Sequence, residues 1–345
     1  MLFWYELKKL ITAPAIIGFV LLCIVVNAVI VFASYNDYYL ADIQADTTGM
    51  TDIFDGFDAV EIVVGRYSTR HGLSGEYEQN VREKYEKLQP VIKAKAANDE
   101  SLSPYFGDRT PYLHKLLFQT LFGAIIAESC LIALFVALIS TGYESTRNTE
   151  GFIYGSKSGR NILQTKFLAS LTAGGVLFVV IISVSLVLFF SRFDWTNVWN
   201  NNVSSLFNRA VDEYAKPFIT WHSFSVSELV WSSIGISAGV VLCFSLLGYA
   251  VGTFVRSGYG AVLTAVAAVG IMYVAEPLFP YGSSLRSALN LTPVGLWLNV
   301  GEWFTDGYAD ILWANFECIG VGASIAALTA MSGLAVAYFK RRDLV

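Results

Sequence analysis

An all-α integral membrane protein with six transmembrane helices is the fold class predicted by this sequence of 345 residues, and three observations predict it. Hydrophobic residues make up 54% of the chain and charged residues 15%, a balance outside the usual range of soluble globular domains. Six apolar runs are each long enough for a hydrocarbon core of ~30 Å, which takes about 20 helical residues. Lysine and arginine in the short connections also gather on one side of those runs. The predicted layout adds an amphipathic N-terminal interfacial helix, a re-entrant segment before the last helix and an external cap.

The N-terminal stretch MLFWYELKKLIT places Phe3, Trp4, Leu7, Leu10 and Ile11 on one helical face, with Glu6, Lys8 and Lys9 largely on another. Such a helix lies on a membrane surface. The first span follows at Ala15–Ala33, so residues 1–35 hold both elements. Its apolar run is too long for the core of a cleaved signal and lacks a small-residue cleavage site, which predicts a retained helix. Residues 36–115 form an external segment with a charged helix around Glu76–Ala97, where Glu83 and Lys87 stand one turn apart in the favourable order. Residues 116–190 hold the second span, Leu116–Ile139, and the third, Leu168–Phe190, joined by an inner loop over 143–166. The external segment 191–228 is rich in Asn, Ser and Trp and reads as irregular or partly interfacial.

Residues 229–345 hold the last three spans: Leu229–Val255, then Tyr259 to about Tyr281 after a tight turn at Arg256–Gly258, then Ile311–Phe339. Between the last two, 288–304 is apolar but short and broken by Asn290, Pro293 and Gly295. That length suits a re-entrant or interfacial element, with Trp297 and Trp303 near the outer headgroups, or else a surface loop.

Orientation follows from charge. One side of the spans carries ten Lys and Arg against four acidic residues, the other thirteen against twenty-two. Lys8, Lys9, Lys157, Arg160, Lys166, Arg256, Lys340, Arg341 and Arg342 share the first side, which the positive-inside rule makes cytoplasmic. Both termini are therefore expected in the cytoplasm of a multi-pass cell-membrane protein, with a bacterial plasma membrane as the setting.

Within the spans, Glu128 is costly in lipid unless it faces protein or water. It reads as a polar helix contact or as a group on a transport pathway, with both readings open. Glu317 is expected near the outer surface, reaching water. Gly235 with Gly239, and Gly248 with Gly252, give the fourth span two GxxxG close-approach points. The four cysteines, Cys23, Cys130, Cys243 and Cys318, lie in apolar runs without metal spacing and read as packing groups, and His71, His114 and His222 as solvated surface histidines.

The inner loop, YESTRNTEGFIYGSKSGRNILQTKFLASL from Tyr143 to Leu171, reads as a charged helix carrying Glu144, Arg147 and Glu150, a glycine turn from Gly155 to Gly159, and a basic approach to the third span. Here the chain resembles the ABC type-two exporter permeases. Their inner loop runs from an acidic residue through a Glu-Gly pair and a small-residue turn to an arginine and a lysine, places filled by Glu144, Glu150, Gly151, Ser158, Arg160 and Lys166. The ending AYFKRRDLV, a basic cluster and an acidic residue after the sixth span, fits the same pattern.

The resemblance implies a coupling helix, with Glu144, Arg147, Glu150, Gly151, Arg160 and Lys166 facing a separate ATP-binding cassette subunit, and a second permease subunit, identical or related, to complete a pathway. This chain shows no phosphate-cradling loop, since GSKSGR at Gly155 has neither the spacing nor a preceding strand. No cofactor and no ATPase site are expected in it; ATP and Mg belong to the partner. Membrane lipid is an expected contact and nucleic acid is not. The implied function is export of a peptide, antimicrobial compound or amphipathic lipid. The alternatives are a sensing or resistance complex that does not itself transport, and an ion-coupled secondary transporter, which wants more intramembrane ionisable residues and an internal repeat.

Overall fold

Six helices long and apolar enough to cross a membrane run through the computed structural model: Pro14–Ala33, Tyr112–Thr146, Ile162–Arg192, Val226–Phe254, Gly258–Leu278 and Phe316–Arg341. The structure describes residues 2–33, 46–105, 110–147, 149, 152–153, 159–206, 217–255 and 257–341. Among these no strand forms, and two isolated antiparallel bridges join Asn202 to Ser225 and Thr220 to Thr305. The second span has 35 residues, about 52 Å at 1.5 Å per residue. It therefore outreaches a hydrocarbon core of ~30 Å, and its ends work outside the apolar layer.

The second and fourth spans form the centre of the bundle, with 61% and 67% of their most apolar stretches buried, against 11% for the fifth. Glycine makes this approach possible. A Cβ on Gly248 would stand 2.8 Å from the Leu134 carbonyl oxygen, and one on Gly252 would collide with Thr141, both in the second span. A Cβ on Gly239 would meet Val321 of the sixth span at 2.5 Å, whereas Gly235 faces nothing within 4 Å. Three of the four glycines thus serve contacts within one chain.

The helix Glu76–Ala97 forms with the expected bounds. Its Val81, Tyr85, Leu88 and Ile92 recur at helical spacing and build, with Phe54, Val63, Tyr67 and Ile219, a hydrophobic core separate from that of the bundle. On this helix the ion pair that forms joins Arg82 to Glu78 at 3.0 Å, while Glu83 accepts a hydrogen bond from Gln79.

Several expectations need correction. The sixth span begins at Phe316, not Ile311, because Asn315 takes a left-handed conformation that a helix cannot continue through, φ 52°. Glu317 does not reach water: it is fully buried, and its carboxylate accepts the Phe304 backbone N–H at 3.3 Å. His114 is buried too, packed on Phe118 with ring centroids 4.6 Å apart. The indole N–H groups of Trp297 and Trp303 are taken up inside the protein, donating to the carbonyls of Gly123 at 2.9 Å and Leu296 at 3.0 Å. A helix forms over Leu2–Ile11, where an interfacial helix is expected, but Glu6 lies on its buried side with Leu7 and Leu10, and Trp4 points outward. The segment around 288–304 is two short helices, Ser284–Leu289 and Pro293–Leu298, followed by a single 3-10 turn.

Candidate functional site

The second and third spans are closed at the end away from the cap by one buried ion pair. Glu144 sits in the last turn of the second span, and Lys166 in the second turn of the third. Both side chains are almost wholly buried. The Lys166 ammonium donates to the Glu144 carboxylate and, at 2.7 Å, to the Ser140 carbonyl one turn earlier. Burial costs two charges their water, and the second Lys166 donor, held by the Ser140 carbonyl, offsets part of that cost.

The N-terminal helix Leu2–Ile11 completes the cluster. Lys9 pairs with Glu6 and rests 4.0 Å from the centroid of the Tyr143 ring, while the exposed Arg147 guanidinium lies 5.7 Å from the same ring, both within cation–π range. Tyr249 of the fourth span donates to the Leu163 carbonyl at 2.9 Å, so the base of the third span is held from that side as well.

These positions revise the expected coupling helix. Glu144 does not start a separate charged helix; it belongs to the second span, which ends at Thr146 with Arg147 as its C-cap. Glu144 and Lys166 face each other in the interior rather than a surface. Arg147 is exposed, and Arg160 falls in a 3-10 turn, Gly159–Asn161, leading into the third span. Glu150, Gly151 and Ser158 lie outside the described residues, as do Arg256 and Arg342.

Glu128 is partly buried in the middle of the second span. Its carboxylate accepts a hydrogen bond from the Asn27 amide at 2.8 Å, and the same amide nitrogen donates to Ser185 Oγ at 3.0 Å. One side chain each from the first, second and third spans thus meets in the apolar layer. Asn27 and Ser185 were missed by sequence reasoning, although a lone asparagine in the run PAIIGFVLLCIVVNAVIVFA is a visible signal.

The buried polar contacts of the cap were also missed. Lys84 donates to three backbone carbonyls, those of Asp306 at 2.9 Å, Tyr308, and Ile311 at 3.0 Å. Tyr85 donates to the Asp306 carboxylate, and burial beside that charge pushes its phenol well above the ordinary range. Lys95 meets Glu100 at 2.8 Å, Thr220 Oγ1 at 3.1 Å and Ser204 Oγ at 3.2 Å; burial lowers its pKa and Glu100 opposes the shift. Arg286 pairs with Glu276 and, at 2.6 Å, with Asp310, and covers the Tyr281 ring at 3.9 Å. Burial raises the Asp310 carboxyl despite that guanidinium.

Among the described residues no group of three or more His, Cys, Asp or Glu could hold a metal ion. Cys23, Cys130 and Cys243 are buried in the packing and Cys318 is exposed. No family model, curated protein or solved structure matches the chain.

Proposed function

We propose that the chain is the membrane-spanning subunit of an ATP-driven exporter, lying in a bacterial plasma membrane with both termini and the 143–166 loop in the cytoplasm. The observation that carries this reading is the buried Glu144–Lys166 pair. It joins the two helices that flank the basic loop, so a force applied to the loop moves the second and third spans together rather than bending their ends. The Lys9–Tyr143 contact would add the interfacial helix to the same unit.

In this reading Arg147, Glu150, Gly151 and Arg160 contact a separate ATP-binding cassette subunit, which supplies ATP, Mg and hydrolysis. Glu144 and Lys166 position that surface from behind. A second permease subunit, identical or related, completes the pathway, and Glu128 is its candidate lining group. The cargo is a peptide, an antimicrobial compound or an amphipathic lipid.

The test is purification of the chain with its native neighbours. A stoichiometric ATP-binding subunit should accompany it, and Arg147→Glu combined with Arg160→Glu should weaken that association, since rim charges set encounter and register. Reproducible absence of such a subunit refutes the proposal. A second reading, a sensing or resistance complex without transport, draws support from the separate hydrophobic core of the cap. Accumulation of cargo in inverted vesicles separates the two.

A further inference from the structure

A groove of about 860 Å³ runs between the third and fourth spans toward the cap end. Along one wall Phe178, Ile182, Leu186 and Phe190 recur every fourth residue of the third span, while Trp231 and Ile234 of the fourth span line the other. From Phe178 to Phe190 is twelve residues, about 18 Å of helix. That length is close to the ~15 Å of a single leaflet's hydrocarbon. The walls belong to helices long and apolar enough to cross a membrane, so the groove opens into acyl chains rather than water.

The mouth of the groove has a different chemistry. Asp194, two residues beyond the third span, lines it together with Thr196, Trp195 and Trp199. The Asp194 carboxylate accepts the Thr196 backbone N–H at 2.9 Å through Oδ1 and also takes the Thr196 hydroxyl, which holds its pKa below the ordinary range. Among the described residues no cation pairs with it. An ionised carboxylate beside tryptophans at the end of an apolar groove complements a positive head carried on a hydrocarbon tail, through charge and through cation–π attraction.

We propose that this groove holds one bilayer lipid whose headgroup carries a free amine, with an acyl chain along Phe178–Phe190 and the ammonium at Asp194. The proposal depends on the membrane-spanning fold and not on the exporter reading. Leaflet-matched length selects a lipid over a short soluble ligand, and the single unpaired carboxylate selects its head.

The full chain, reconstituted in nanodiscs holding equal phosphatidylethanolamine and phosphatidylglycerol of the same acyl composition, tests this by native mass spectrometry of the lipids it retains. Phosphatidylethanolamine should be retained over phosphatidylglycerol by about fivefold. Asp194→Asn keeps an oxygen for the Thr196 contacts and should bring the ratio close to one. Val187→Trp, which fills the groove from its exposed edge, should reduce retention of both lipids. An unchanged ratio in Asp194→Asn, or unchanged retention in Val187→Trp, overturns the assignment. So does a groove that retains no lipid but takes up dodecylammonium added at the same molar ratio, which would make the occupant a soluble amphiphile.

Discussion

At the cap end, Lys84 is fixed by three carbonyls of the distant segment 306–311 and Lys95 by acceptors from three separate stretches of chain, whereas at the opposite end Lys166 has one carboxylate and one carbonyl from a single helix. The lysines on the cap tie the helix Glu76–Ala97 to Ser204, to Thr220 and His222, and to segment 306–311, and the Phe304 N–H just before that segment bonds Glu317 of the sixth span. Around them lies a hydrophobic core of the cap's own. Lys166 instead joins two neighbouring helices across a loop. A cluster with many fixed acceptors resists rearrangement, because every bond must break at once. A single pair between two helix ends holds them together but lets them hinge against the rest.

Removing Lys95 should therefore have the largest effect. Lys95→Met leaves Glu100 buried without its cation, which costs about 3–5 kcal/mol. Limited proteolysis should then cut within 46–105 while the spans stay protected. Equal loss of protection in both parts would mean that the cap and bundle unfold as one unit, and the contrast between the ends would fail. Glu144→Gln should cost less, about 1.5–3 kcal/mol, because glutamine keeps an oxygen acceptor for the Lys166 ammonium, which also retains the Ser140 carbonyl. If the proposed ATP-binding partner co-purifies, that variant should retain it but lose stimulated hydrolysis, measured on the purified complex; an unaltered rate would remove the pair from the proposed coupling path.

Alkaline titration sharpens the comparison at the cap alone. The folded-state pKa of Tyr85 is raised above its ordinary value of 10.0. Its contribution to stability is thus fully present below pH 10 and lost as pH rises beyond it, since only the unfolded phenol ionises there. Cap protection should fall above pH 10, and Tyr85→Phe should flatten that fall. A wild-type cap indifferent to pH in this range would contradict the buried Tyr85–Asp306 contact.

The spans and the helix Glu76–Ala97 were legible because their signals are local. Apolar length and periodicity need no knowledge of neighbours. The same helix also showed what was missed: Lys84 and Lys95 fall three turns apart on the side of Val81, Leu88 and Ile92, so two charges stand within an apolar stripe. A buried lysine was the proper inference, but apart from Glu100, five residues beyond Lys95, the acceptors lie more than a hundred positions away. Glu144 misled for the opposite reason. Its charged neighbours suggested a solvated helix, yet its partner is 22 residues further along, beyond a loop whose length says nothing about which helix ends meet. The left-handed Asn315 that delays the sixth span is equally hard to read, since Ile311–Asn315 is apolar enough to pass for helix.

Between the two ends, Asn27, Glu128 and Ser185 provide the smallest expected effect and a way to decide what Glu128 does. Hydrogen bonds between membrane helices average about 0.6 kcal/mol, so Asn27→Ala, which loses two, should destabilise the bundle by about 1 kcal/mol when unfolded from mixed micelles. Glu128→Gln keeps an oxygen acceptor for the Asn27 amide and should leave that stability unchanged. Glu128→Ala removes one of the two bonds and leaves that to Ser185, so it should cost about half as much as Asn27→Ala. If transport follows stability across the three variants, the group is a helix contact. If Glu128→Gln lowers transport while stability is intact, the charge itself is used, and the carboxylate belongs to the pathway. The hydrogen bond from Asn27 then positions it there and is not an end in itself.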